Sequence, residues 1–99
     1  MPFSMTHREG RQVLTLEGSV TIREARKLAA LLGESLEEGM PFEVESKRLE
    51  DIDTCILQLL CSLKKSAPEL TFIDTPEVLL TALDRSQLRR ALLGTRDGI

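Results

Sequence analysis

The chain has 99 residues, 41% of them hydrophobic and 29% charged, with a formal net charge of −3. That size and balance predict a single globular domain over residues 1–99 and exclude a disordered chain. Three aromatic residues, none of them Trp or Tyr, leave no base-stacking or carbohydrate platform, and acidic charge spread over both halves lacks the basic footprint of a nucleic-acid binder.

Residues 2–7 alternate weakly and predict an edge strand, followed by a turn at Glu9-Gly10-Arg11. Residues 12–17 form a second strand, paired with the first as a hairpin and ended by Gly18. Thr21 and Glu24 fit a capping box, in which each side chain satisfies the other's backbone donor. The helix they open carries Ile22, Ala25, Leu28, Ala29, Leu32 and Leu36 on one side, with Gly39 as its stop.

Phe42-Glu43-Val44-Glu45-Ser46 alternates cleanly as a third strand with one face better covered than the other, and residues 47–51 read as a loop. A helix follows from Thr54 to Ser66, its inner stripe being Ile56, Leu59, Leu60, Leu63 and Ala67, with Pro68 preventing continuation. Residues 70–74 make a fourth strand. Thr75-Pro76-Glu77 opens another helix, with Pro at the first helical position. Ser86 is placed to cap a short last helix through Leu92, stopped by Gly94 and followed by a frayed tail over residues 95–99. The expected fold class is α/β: a four-stranded mixed sheet packed with three to four helices in the order ββαβαβα plus a short final helix.

The chemistry concentrates at Asp51 to Leu60, where acids and a hydroxyl give way to an apolar helical stripe. Asp53 is a good N-cap, since its carboxylate can accept from unpaired first-turn N–H groups. Thr54 falls at the first helical position, where the dipole is positive and anions are favoured. On residue type alone, Thr54 is equally an ordinary β-branched residue at a helix start. Cys55 and Cys61 lie too far apart along one helix to bridge, and read as small core or half-buried thiols. No glycine-rich phosphate loop is present, His7 is the single histidine, and Asp51 lacks the oxygen ligands a metal site needs. No cofactor is expected. Arg85, Arg89 and Arg90 form a small basic cluster read as a solvated face.

Taken together, Leu16-Glu17-Gly18, the alanine- and leucine-rich first helix, Ile52-Asp53-Thr54, Leu57-Gln58-Leu59-Leu60 and Leu92-Leu93-Gly94 resemble the STAS domain family over about residues 12–93. These are the anti-sigma-factor antagonists and their relatives. The resemblance implies a non-enzymatic regulatory module that binds a protein partner. It also implies that Thr54 is the site of reversible phosphorylation by a partner kinase. The partner surface it implies comprises Asp51, Asp53, Thr54, Cys55, Ile56 and Gln58. Two departures stand out: Ile56 replaces a residue that is commonly Gly, and Thr54 replaces the Ser most frequent in phosphorylated antagonists. Thr is common in the STAS subunit of Mla-type lipid transporters, which implies an alternative partner, an ABC transporter ATPase subunit. No apolar run reaches the roughly 20 residues of a bilayer span, and residues 1–7 lack the order of a signal peptide. With two thiols suited to a reducing compartment, the expected location is the cytoplasm, without membrane insertion.

Overall fold

The computed structural model describes residues 3–37, 39–66, 69–73 and 75–93. Two strands, β1 (Phe3–Arg8) and β2 (Arg11–Val20), pair antiparallel with Arg8 opposite Arg11. Only Glu9 and Gly10 separate them, both at positive φ (51° and 81°), as a tight hairpin matched to strand twist requires. The chain then crosses over through α1 (Ala25–Leu36) to β3 (Phe42–Ile52), and through α2 (Thr54–Ser66) to β4 (Leu70–Ile73). β3 pairs parallel with both β2 and β4, giving the sheet order β1-β2-β3-β4. Two more helices close the chain, α3 (Glu77–Ser86) and α4 (Arg89–Leu93). The mixed four-stranded α/β architecture is the one the sequence pattern predicts.

Successive right-handed crossovers between neighbouring parallel strands put their helices on one face of the sheet. Leu14 and Leu16 of β2 and Phe42 and Val44 of β3 point into that face. They meet Leu28 of α1, Ile56, Leu57 and Leu60 of α2, and Leu79 and Leu83 of α3, all in one core. The alternate positions Thr6, Thr15 and Glu45 look the other way and are at least partly solvated. Gln12, at the start of β2, is fully buried and donates through Nε2 to the Ser35 carbonyl at 2.9 Å, tying the sheet to the end of α1.

Several local expectations change. Residues 47–51 are strand, not loop, because β3 continues to Ile52. Its pairing with β2 slips twice, between Thr15 and Glu17 and between Gly18 and Ser19. Each slip inserts an extra β3 residue, so the buried positions Phe42, Val44, Ser46, Leu49 and Ile52 change spacing from two to three. The period-two signal is lost there although the strand is not. Gly18 likewise lies within β2, at positive φ beside a slip, and does not end it. The capping box at Thr21 and Glu24 forms, but it opens a single 3-10 turn (Ile22–Glu24) ahead of α1. Gly39 stops α1 as expected, at positive φ, its N–H donating to the Leu36 carbonyl at 3.1 Å.

Pro76 is the N-cap of α3, so Glu77, not Pro76, takes the first helical position. Ser86 ends α3 and bonds back to the Ala82 carbonyl at 2.9 Å, so it does not cap α4; Gln87, left-handed at φ 61°, makes the break. Leu57, absent from the expected α2 stripe, is fully buried, because α2 is covered by α1 on one side and by α3 and α4 on another. The expected roles of Ala67, Pro68, Asp74, Gly94 and the tail lie outside the described residues.

Ser46 is fully buried on the helix-covered face and its hydroxyl has no hydrogen-bond partner among the described residues. A buried hydroxyl without a partner costs about 1–3 kcal/mol of lost hydration. Ser46→Ala is therefore expected to leave stability unchanged or raise it by about 1 kcal/mol. Leu60→Ala, which empties a fully buried site, should lose about 2–5 kcal/mol. Urea denaturation of both variants measures the contrast.

Candidate functional site at the start of the second crossover helix

β2 and β3 end side by side, with Val20 opposite Ile52. The next residue, Asp53, joins that end to its surroundings in three ways. Its N–H donates to the Val20 carbonyl at 3.0 Å, and its own carbonyl accepts from Ile56 and Leu57 to start α2. Its carboxylate accepts from the Ile22 N–H at 2.7 Å. Asp53 thus stands at the N-cap position, but its side chain reaches across to the turn that precedes α1. The starts of two helices are locked together by one residue.

Thr54 follows as the first residue of α2, exposed, its hydroxyl unbonded among the described residues. Beside it opens a depression of about 380 Å³ between the end of β3 and α3. Ile52, Val78 and Ala82 give its apolar lining, and Asp51, Thr54, Glu77, Thr81 and Arg85 its polar one. Glu77, Thr81 and Arg85 recur every four residues and so share one face of α3. Two carboxylates face one guanidinium, and none of these three groups forms an ion pair among the described residues. The rim is net acidic.

The proposed surface residues separate by burial. Asp51, Thr54 and Gln58 are exposed, and Asp53 and Cys55 are half-buried. Ile56 is fully buried in the core, which corrects its expected place on the partner surface: it points inward from the first turn of α2 to pack under the sheet's end. Ile22, expected on the inner stripe of α1, is instead 67% exposed, because the 3-10 turn rotates it away from the α1 register. The wall supplied by α3 also escaped sequence reading, although the polar recurrence Glu77, Thr81, Arg85 was available. The basic cluster divides: Arg85 lines the depression, whereas Arg89 pairs with Asp84 at 3.1 Å.

Glu24 sits next to this junction. The Thr21 backbone N–H, donating to its carboxylate at 2.9 Å, holds its carboxyl below the ordinary value, with the Thr21 hydroxyl adding to the effect. Burial pushes the Cys61 thiol up, toward the neutral form. Among the described residues no group of three or more metal-binding side chains occurs, and no helix is long and apolar enough to cross a membrane.

The family model described as "Mlab, STAS domain" matches residues 3–94, and the chain belongs to the STAS domain family. The fold is similar to that of the anti-sigma factor antagonist SpoIIAA in its unphosphorylated form. The TM-score is 0.69 at 15% identity, covering 87% of this chain and 81% of that one. No curated protein sequence matches significantly.

Asp53→Ala removes the acceptor that joins the two helix starts, and should cost about 1 kcal/mol in urea denaturation at neutral pH, with Asn retaining part of the bond. The Glu24 contribution has a definite sign. Its carboxyl is lowered on folding, so its stabilisation is present above 4.5 and is lost as pH falls through the lower folded value. Acid titrations followed by circular dichroism should show a shallower loss for Glu24→Gln than for the parent chain across that window.

Proposed function

We propose that the chain is a non-enzymatic regulatory module that binds a protein partner at the start of α2, with Thr54 as its phosphorylation switch. The observation that carries this reading is Thr54 itself, an exposed, unbonded hydroxyl at a helix N-terminus whose surroundings are held rigid by Asp53. Family membership and the likeness of fold to an anti-sigma factor antagonist support it. Asp51, Asp53, Cys55 and Gln58 surround Thr54 and complete the contact surface.

The partner in this reading is a serine/threonine kinase of the anti-sigma type, acting in the cytoplasm. The Thr54 oxygen, giving up its proton to a base of the kinase, bonds to the γ-phosphorus of ATP as the bond from that phosphorus to the bridging oxygen breaks and ADP leaves. The phosphate adds about −1.5 to −2 charges. It enters a rim that already holds Asp51 and Glu77, against the single positive charge of Arg85. Repulsion of an acidic partner surface then releases the complex. Helix N-termini tolerate anions, and the Thr54 side chain is not part of the core, so modification alters binding and leaves the fold in place.

The description of the matching family model favours a second reading. Here the chain is an accessory subunit docked on the ATPase of an ABC-type lipid transporter, and Thr54 is a packed contact that is never modified.

Incubation with the cognate kinase and ATP, read by intact mass, separates the two: one added phosphate, absent from Thr54→Ala, is the expected result for the switch. Co-purification with a membrane ATPase, without added phosphate, supports the docking role. Thr54→Glu should weaken partner capture at least about tenfold in either case, near 1.4 kcal/mol. Undiminished capture by that variant removes the Thr54 surface altogether.

A further inference from the structure

The exposed side of α1 carries a charge order that works against its own helix. Beyond the capping carboxylate of Glu24, the first turn holds Arg26 and Lys27, while Glu34 lies in the last turn and Glu37 at the C-cap. Cations near a helix N-terminus and anions near its C-terminus both oppose the macrodipole. Glu34 and Glu37 also stand one turn apart with like charge. All four are exposed, and none forms an ion pair among the described residues.

Between the charged ends the surface has almost no side-chain bulk. Arg26, Ala30, Gly33 and Glu37 recur at four, three and four residues, so they form one exposed stripe along the helix, flanked by exposed Ala29. A Cβ on Gly33 would meet nothing within 4 Å. A shallow apolar depression of about 160 Å³ borders the stripe, between Ala29, Gly33 and Leu36 of α1 and Leu59 and Leu63 of α2.

We infer that this stripe is a self-association surface, and that its occupant is α1 of a second copy of this chain, packed antiparallel about a two-fold axis. The stripe is self-complementary under that operation. Centring the axis between Leu31 and Leu32 sets Arg26 level with Glu37 of the second copy, and Ala30 level with Gly33. The arrangement occurs twice, as an isologous interface demands. Lys27 and Glu34 face one another with a small offset. Ala and Gly at the crossing let the helix axes approach closely, at the short end of the usual 8–10 Å. The second copy supplies to each α1 end the opposite charge that the helix itself lacks. One helix face is small for an interface, so the dimer is weak and concentration-dependent. The inference is independent of any role for Thr54.

Analytical ultracentrifugation from about 10 μM to about 1 mM tests it, a range that brackets weak dimers. The parent chain should pass from one-chain to two-chain mass, with dissociation favoured by added salt. Arg26→Glu alone and Glu37→Arg alone each place like charges opposite one another, and should weaken dimerisation about tenfold or more. Mixing these two variants restores both pairs and should restore a dimer, as should the double variant R26E/E37R. Gly33→Gln should abolish dimerisation while raising the thermal midpoint of the dilute chain, since Gly is the poorest non-proline helix former and the space outside it is open. Thermal melts at low concentration confirm that each variant folds, and Gly33→Gln decides the matter if a charge variant does not. A one-chain mass for the parent across the whole range overturns the proposal. So does a dimer indifferent to all three single substitutions.

Discussion

The junction at Asp53 is the constraint on which the rest of the molecule's presentation depends. Parallel strands need long crossovers, so the starts of α1 and α2, at Ala25 and Thr54, are 29 residues apart in sequence. They are nevertheless brought together where β2 and β3 end as neighbours. Asp53 uses its N–H on one strand end, its carbonyl on its own helix and its carboxylate on the turn before the other helix. The backbone of Thr54, one residue later, is therefore held between the sheet end and the first turn of its helix. Displacing the Thr54 backbone would break the Asp53 bond to the Val20 carbonyl or the bond that the Asp53 carboxylate accepts from the Ile22 N–H, which is stronger than one between neutral groups.

The same junction keeps the solvent-facing residues at the start of α2 apart from those that hold the fold. Ile52 and Ile56 lie on either side of Asp53 and Thr54, and both are buried in the core. The chain thus alternates, within five residues, between positions that hold the sheet end together and positions that face solvent. Charge added at Thr54 would act on the rim of the adjacent depression, where Asp51 and Glu77 already outnumber Arg85. It would not enter the aliphatic layer below. A switch of this kind works by electrostatics at a surface and needs no second conformation.

Much of this was legible from residue pattern, because local signals and tertiary demands agreed. The Thr21–Glu24 box, the Gly39 stop and the start of α2 at Thr54 all appear where the sequence puts them. Errors arose where tertiary context overrode local periodicity. The second half of β3 reads as loop because two register slips change the spacing of its buried residues. Leu49 then falls out of phase with Val44, and the second slip brings Ile52 back into phase only after two exposed residues, although all three face the same core. Ile22 reads as core because a helix with uniform period would turn it inward, whereas a 3-10 turn does not. The family resemblance puts Ile56 on the partner surface, whereas the apolar stripe puts it inside, and the stripe is right: two residues on from Thr54 is a rotation of about 200° on a helix, which carries Ile56 under the sheet.

By itself the sequence determined the order of elements, the parallel crossovers and the place of Thr54 at a helix start. Each of those follows from short-range chemistry: caps, breakers and side-chain periodicity within a few residues. Only the tertiary structure decided what surrounds Thr54. The carboxylate of Asp53 serves a turn thirty-one residues away, and the wall of the neighbouring depression comes from α3, more than twenty residues downstream. Those relations depend on which strands are adjacent and on how their registers slip. No local pattern encodes them, because they are set by the packing of the whole aliphatic core.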